Sequence, residues 1–135
     1  MRLISKEEEL FNWLKEKVYS DLVWSRNQMS RWDCYPPKKK HRIELKCRRK
    51  HYDSLLVEKP KYDAILAECA KHNDIPVYIN STPEGVFIFD MRTHNGIWEL
   101  RSMPKTTDFK QRHFITKEVG YFYTEEAYFI LLKDC

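Results

Sequence analysis

Between Arg42 and Cys47 the chain alternates without a break, with Ile43, Leu45 and Cys47 on one side and Glu44 and Lys46 on the other. Successive side chains of a β-strand point to opposite faces, so this hexapeptide reads as a strand with one apolar face and two ionisable groups projecting together from the other. If both faces of such a strand are covered, an unpaired Glu44 costs several kcal/mol. The fold must therefore supply partners on that face.

The flanking segments give the strand its neighbours. Ser5-Lys6-Glu7-Glu8 has the form of a capping box, and Leu10, Phe11, Leu14 and Val18 continue it as one helical apolar stripe. Glu7 falls on that stripe, one turn ahead of Leu10 and Phe11. Leu22 to Trp24 and Gln28 to Tyr35 read as extended, with Asp33 near the end of the second stretch before Pro36-Pro37 break it. Asp53 to Val57 is another short extended run. Pro60 suits a first helical position, and Tyr62, Ile65, Leu66 and Cys69 carry the helix to about Lys71. Val77 to Asn80 and Val86 to Phe89 are strand-like, joined by Ser81-Thr82-Pro83-Glu84-Gly85. The expected core order is helix, three strands, helix, two strands. Beyond Asp90 the pattern predicts a strand at Ile97 to Arg101, a polar loop through Lys105 to Gln111, and an aromatic-rich tail, Val119 to Leu132, of strand followed by helix.

With 135 residues, 42% apolar and 14% aromatic, the chain has enough apolar area for one domain spanning 1–135. The net charge of +4 is unevenly spread: Lys38 to Lys50 holds eight Lys or Arg and one acid, Glu44. Such a run attracts phosphates, and it also serves as an ordinary solvated edge. Cys34, Cys47, Cys69 and Cys135 form no C-x-x-C pair and read as free thiols. Charged residues near the start and the lack of a long apolar stretch make the cytoplasm the expected location, with no membrane partner. The five histidines lack zinc-site spacing, and none of the three glycines lies in a phosphate-cradling loop.

The chemistry concentrates in Asp33 with Glu44-Leu45-Lys46. The interval between the two acids accommodates a strand end, a turn and a strand start, and antiparallel pairing would set the carboxylates side by side. Carboxylate oxygens are the hard ligands that Mg²⁺ takes one or two at a time, with water and substrate phosphate filling the remaining positions. Lys46, on the face of Glu44, is positioned to hold an attacking water or stabilise charge on a phosphate. An E-x-K triplet alone is common as a surface ion pair.

Asp33, the run Ile43-Glu44-Leu45-Lys46-Cys47-Arg48 and the following Glu58-Lys59-Pro60-Lys61-Tyr62 resemble the core of the PD-(D/E)XK nucleases. That superfamily includes Holliday-junction resolvases, restriction endonucleases and phage nucleases, and the chain also resembles small nuclease-like proteins of tailed phages. The resemblance covers residues 5 to 90 and leaves 91–135 as a C-terminal extension. It implies an α/β three-layer fold, a mixed sheet flanked by helices. By position it implies that Asp33 and Glu44 ligate Mg²⁺ or Mn²⁺, that Lys46 is the catalytic lysine and that Glu7 is an accessory acid. Trp32 stands before Asp33 where the family pattern has proline.

The implied activity is metal-dependent hydrolysis of DNA, with Lys38, Lys39, Lys40, Arg42, Arg48, Arg49, Lys50, Lys59 and Lys61 expected on the nucleic acid. Lys59 and Lys61 stand at a helix N-terminus, which attracts anions. The alternative is a nuclease-derived module without turnover that binds nucleic acid or serves a phage as an accessory protein. A third reading makes the aromatic segment Tyr121 to Phe129 a partner surface, and a homodimer is compatible with each.

Overall fold

The computed structural model describes residues 4–25, 30–104, 114–127 and 129–131. Among them the chain runs α1 (Glu7–Lys17), β1 (Val23–Trp24), β2 (Cys34–Tyr35), β3 (His41–Cys47), β4 (Ser54–Glu58), α2 (Lys59–His72), β5 (Ile75–Thr82) and β6 (Gly85–Asp90). It continues with β7 (Glu99–Pro104), β8 (Phe114–Tyr123) and β9 (Phe129–Leu131). The expected loop at Lys105 to Gln111 lies outside the described residues, as do Cys135 and part of the Gln28 to Tyr35 stretch.

One sheet has the order β1-β2-β3-β5-β6-β9. Its β3 and β5 are parallel, from His41 opposite Ile75 to Cys47 opposite Ser81, and its other pairs are antiparallel. A parallel pair needs a crossover, here formed by β4 and α2. The alternation in β3 does what its period requires: Ile43 and Leu45 are buried with Leu10, Phe11 and Leu14 of α1 and Val77 and Ile79 of β5. The opposite face of the sheet carries Tyr78, Phe87 and Phe89, which pack with Ile65 and Cys69 of α2 and Leu55 and Val57 of β4. Glu44 pairs in register with Tyr78, so its side chain belongs to this second face. This mixed α/β architecture, a mixed sheet with a helix on each face, is the expected class.

Four details differ from the sequence reading. The cap of α1 is Lys6, and the hydroxyl of Ser5 donates instead to Glu9 Oε1 at 3.5 Å. The box was misplaced by one residue, and no side chain caps the helix. Four strands precede α2 where three were expected, and β4 leaves the main sheet for a second one of order β4-β8-β7. Leu55 and Val57 bury one face of β4, while its edge pairs with β8 from Ser54 opposite Tyr123 to Glu58 opposite Val119. Among the described residues the tail forms no α-helix either: β8 leads through a single 3₁₀ turn at Thr124–Glu126 to β9, which adds to the edge of β6. Finally, the strands at 75–82 and 85–90 run longer than expected, because parallel pairing with β3 recruits Ile75 and Pro76.

Two residues set the limits of this packing. Asn73 ends α2 in the left-handed conformation at φ 57°, where its N–H reaches the carbonyls of Cys69 and Ala70. Gly120 on β8 lies directly under the rings of His94 and Trp98, and an added Cβ would come within 2.5 Å of His94 Nε2. Gly120→Ala is expected to lower stability by about 1–3 kcal/mol, the usual cost of overpacking. A thermal melt of the variant checks this, and an unchanged midpoint would mean that the two rings move aside freely.

Candidate active site

The site is assembled where β2, β3 and the two helix starts meet. The backbone of Asp33 is held from both sides: its N–H donates to Ile43 O at 2.8 Å, and its carbonyl accepts from Ser25 N–H at 2.9 Å. Its side chain turns onto β3, where Oδ2 accepts from the Leu45 N–H at 2.8 Å. That bond anchors the carboxylate of Asp33 beside the Glu44-Leu45-Lys46 backbone, where β2 and β3 pair antiparallel with Cys34 opposite Ile43.

Glu44 has a side chain only 13% exposed, and its Oε1 is 2.9 Å from Nζ of Lys61. Burial, the charge of Asp33 and, more weakly, that of Glu7 push the Glu44 carboxyl up to about 7, against the opposing pull of Lys61. Glu7, in the exposed first turn of α1, is raised as well, by partial burial and by Asp33, while Lys46 and Lys61 draw it down. Three carboxyl groups and two ammonium groups therefore share one electrostatic neighbourhood. Lys61 itself is raised: burial opposes its charge, but Glu44 outweighs that.

The position of Lys61 was not foreseen. It was expected at the mouth of a helix as a phosphate contact, yet from the first turn of α2 it reaches across to β3. A Lys two positions after the helix start, over a strand bearing an inward Glu, was the available signal. Its ammonium supplies a cation to an acid cluster that otherwise repels itself. Lys61→Met should therefore tighten Mg²⁺ binding at pH 8.5 by roughly threefold to tenfold, the worth of about 1 kcal/mol for a half-exposed ion pair. Calorimetric titration reads this directly, and weaker binding in the variant would show that Lys61 does not compete for Glu44.

The remaining basic residues divide. Arg48 turns inward, donating to Leu56 O at 3.0 Å, Asn80 Oδ1 at 3.3 Å and the Tyr78 hydroxyl at 3.4 Å. It ties β3, β4 and β5 together and is not an open phosphate contact. Arg42 is similarly engaged, 3.3 Å from the buried Asp74 and stacked over the rings of Tyr35 and Trp32. Lys59 pairs with Asp63 at 2.6 Å and lies over Trp98. Lys38, Lys39 and Lys40 are exposed ahead of β3, and Arg49 and Lys50 are exposed beyond it. The acids thus lie between two groups of open cations along one strand.

Cys34 and Cys69 are buried thiols, and burial raises Cys69 to about 11. No group of three or more His, Cys, Asp or Glu among the described residues is already gathered at ligating distances. The donor chemistry nevertheless suits a hard cation, because Asp33 and Glu44 offer the one or two carboxylates that Mg²⁺ takes from protein. Their mutual repulsion is what a divalent ion relieves. Among the described residues no helix is long and apolar enough to cross a membrane.

No family model matches the chain, and no curated protein does. Among solved structures it is similar to the Holliday junction resolvase Hjc of Archaeoglobus fulgidus, an archaeal hyperthermophile. The likeness has a TM-score of 0.57 at 12% identity, and it covers 93% of this chain and 87% of the resolvase. It is a likeness of fold, extending over both sheets.

Proposed function

We propose that the chain is a divalent-metal-dependent endonuclease acting on DNA, with Asp33 and Glu44 as metal ligands, Lys46 as the catalytic lysine and Glu7 as an accessory acid. The observation that carries this reading is Glu44: a carboxyl nearly withdrawn from water, lifted to about 7 by burial, Asp33 and Glu7, and set two residues from a lysine on the same strand face. A structural ion pair has no use for two further acids around it. The resemblance of the Glu44-Leu45-Lys46 run to nuclease motifs and the fold shared with a junction resolvase agree with it.

In this reading Asp33 is held rigid by the Leu45 N–H, so one of its oxygens is committed to position and the carboxylate cannot rotate away. Glu44, raised to about 7 by burial, Asp33 and Glu7, would be held in its charged form by the cation it ligates. Lys46 orients the attacking water or steadies charge that develops on the phosphate oxygens. A bound Mg²⁺ or Mn²⁺ would neutralise the acids, polarise the phosphate and acidify the water.

The test is cleavage of linear, supercoiled, single-stranded and branched DNA by the wild-type protein with Mg²⁺ or Mn²⁺. Cutting of any of them that stops with chelator supports the proposal. Intact substrates under every condition overturn it, and they favour the second reading, a nucleic-acid-binding or phage accessory module that keeps the fold without turnover. The 2.9 Å contact between Lys61 and Glu44 is what speaks for that alternative, since a tethered ammonium already balances the acid. It predicts DNA binding that survives Glu44→Ala and weakens steeply with salt.

A further inference from the structure

We infer that the cleft beside Lys38, Lys39 and Lys40 is an accessory anchoring site for the backbone of a double-helical DNA arm, four to five base pairs from the phosphodiester at Glu44. The inference rests on the proposed nuclease reading and adds a substrate requirement to it.

The cleft, of about 780 Å³, lies between the start of β3 and the last turn of α2, bordered by Arg31, Trp32, Lys38, Lys39, Lys40 and Arg42. Its acids are already balanced: Asp74 holds Arg42 at 3.3 Å, and Glu68 contacts Lys71 and His72. No ion pair among the described residues uses Arg31, Lys38 or Lys40, whose charges are left for an outside anion. Backbone bonds stiffen the lysine turn, with Lys39 N–H donating to Pro36 O at 3.1 Å and Lys40 O accepting from Ile75 N–H at 2.6 Å.

Two independent rulers give the distance to the acids. Lys40, just ahead of β3, and Glu44 within it are four residues apart, about 13 Å at strand rise. Lys61 at the acid end of α2 and His72 at the cleft end are eleven residues apart, about 16 Å at helical rise. One strand of B-DNA carries a phosphate about every 3.4 Å of axis, so the two sites are four to five base pairs apart.

The aromatic side chain in the cleft lining argues for duplex over single strand. It is Trp32, half-buried, with the Arg42 guanidinium 5.6 Å from its ring centroid. Single-strand sites present open aromatic faces on which bases stack. Here that ring is already covered by a cation, which leaves charge as the means of recognition.

The test uses a fluorescent branched DNA whose one duplex arm is trimmed stepwise from twelve to three base pairs, with binding read by anisotropy without divalent metal. Wild-type affinity should fall about tenfold or more once the arm is shorter than about five base pairs. The Lys38→Gln/Lys39→Gln/Lys40→Gln protein should bind the long arm as weakly as wild type binds the short one, with a salt slope shallower by about 2–3. Replacing the arm by single strand should reproduce the loss. A wild type without a length step, a triple variant that keeps it, or equal binding of a single-stranded arm each overturns the inference. Cleavage measured on the same series separates the two ideas: a length step in binding without any cutting leaves the anchoring site standing and removes the nuclease.

Discussion

At pH 8 the Glu44→Gln protein is expected to melt about 6 °C above the wild type, a gain of roughly 2 kcal/mol for a chain of this size, and the gap should close as the pH falls towards 5. The sign follows from the direction of the shift. In the fold the Glu44 carboxyl is raised from 4.5 to about 7, so the native protein binds that proton more tightly than the unfolded chain does. Its contribution to stability is complete at low pH and is lost as the pH rises from about 4.5 through about 7. Glutamine is neutral throughout and keeps a carbonyl oxygen for Lys61, so it escapes the loss. A variant that melts below the wild type at pH 8 would mean that Lys61 more than compensates Asp33 and Glu7, and the picture of a strained acid cluster would be wrong.

The second large effect concerns rate. Lys46→Met should reduce DNA cleavage by about 10²–10³-fold, the usual consequence of removing one group aimed at developing charge. Metal binding should stay within about twofold of wild type, because Lys46 is not a ligand in this account. The charge of Lys46 also holds the Glu7 carboxyl down, so the acid limb of the pH–rate profile should move upwards in the variant. Single-turnover assays across pH measure both quantities. Retention of more than a tenth of the wild-type rate would remove Lys46 from the chemistry.

The parts of this molecule legible in its sequence are those governed by short spacing. The alternation from Arg42 to Cys47 announced β3, its buried Ile43 and Leu45, and the pairing of Glu44 with Lys46 on one face. Asp33 was legible because a tight connection to β3 left little choice of partner. What depended on distant residues was hidden. Arg42 and Arg48 counted as open cations until Asp74, Tyr78 and Asn80 arrived from some thirty residues on to occupy them. Lys61 resembled any lysine at a helix start until α2 packed over β3. The departure of β4 to a second sheet needed β8, more than fifty residues later, and β9 has only three residues to declare itself a strand. In each case the deciding term was a tertiary contact that local propensity does not encode.

The central claim is that Asp33 and Glu44 together hold a divalent cation, and calorimetric titration of Mg²⁺ or Mn²⁺ at pH 6.5 tests it before any substrate is chosen. The account predicts one saturable site in the wild type, with proton release on binding because Glu44 is then partly protonated, and no saturable heat in Glu44→Ala. Equal binding by both proteins, or none by the wild type, would contradict it.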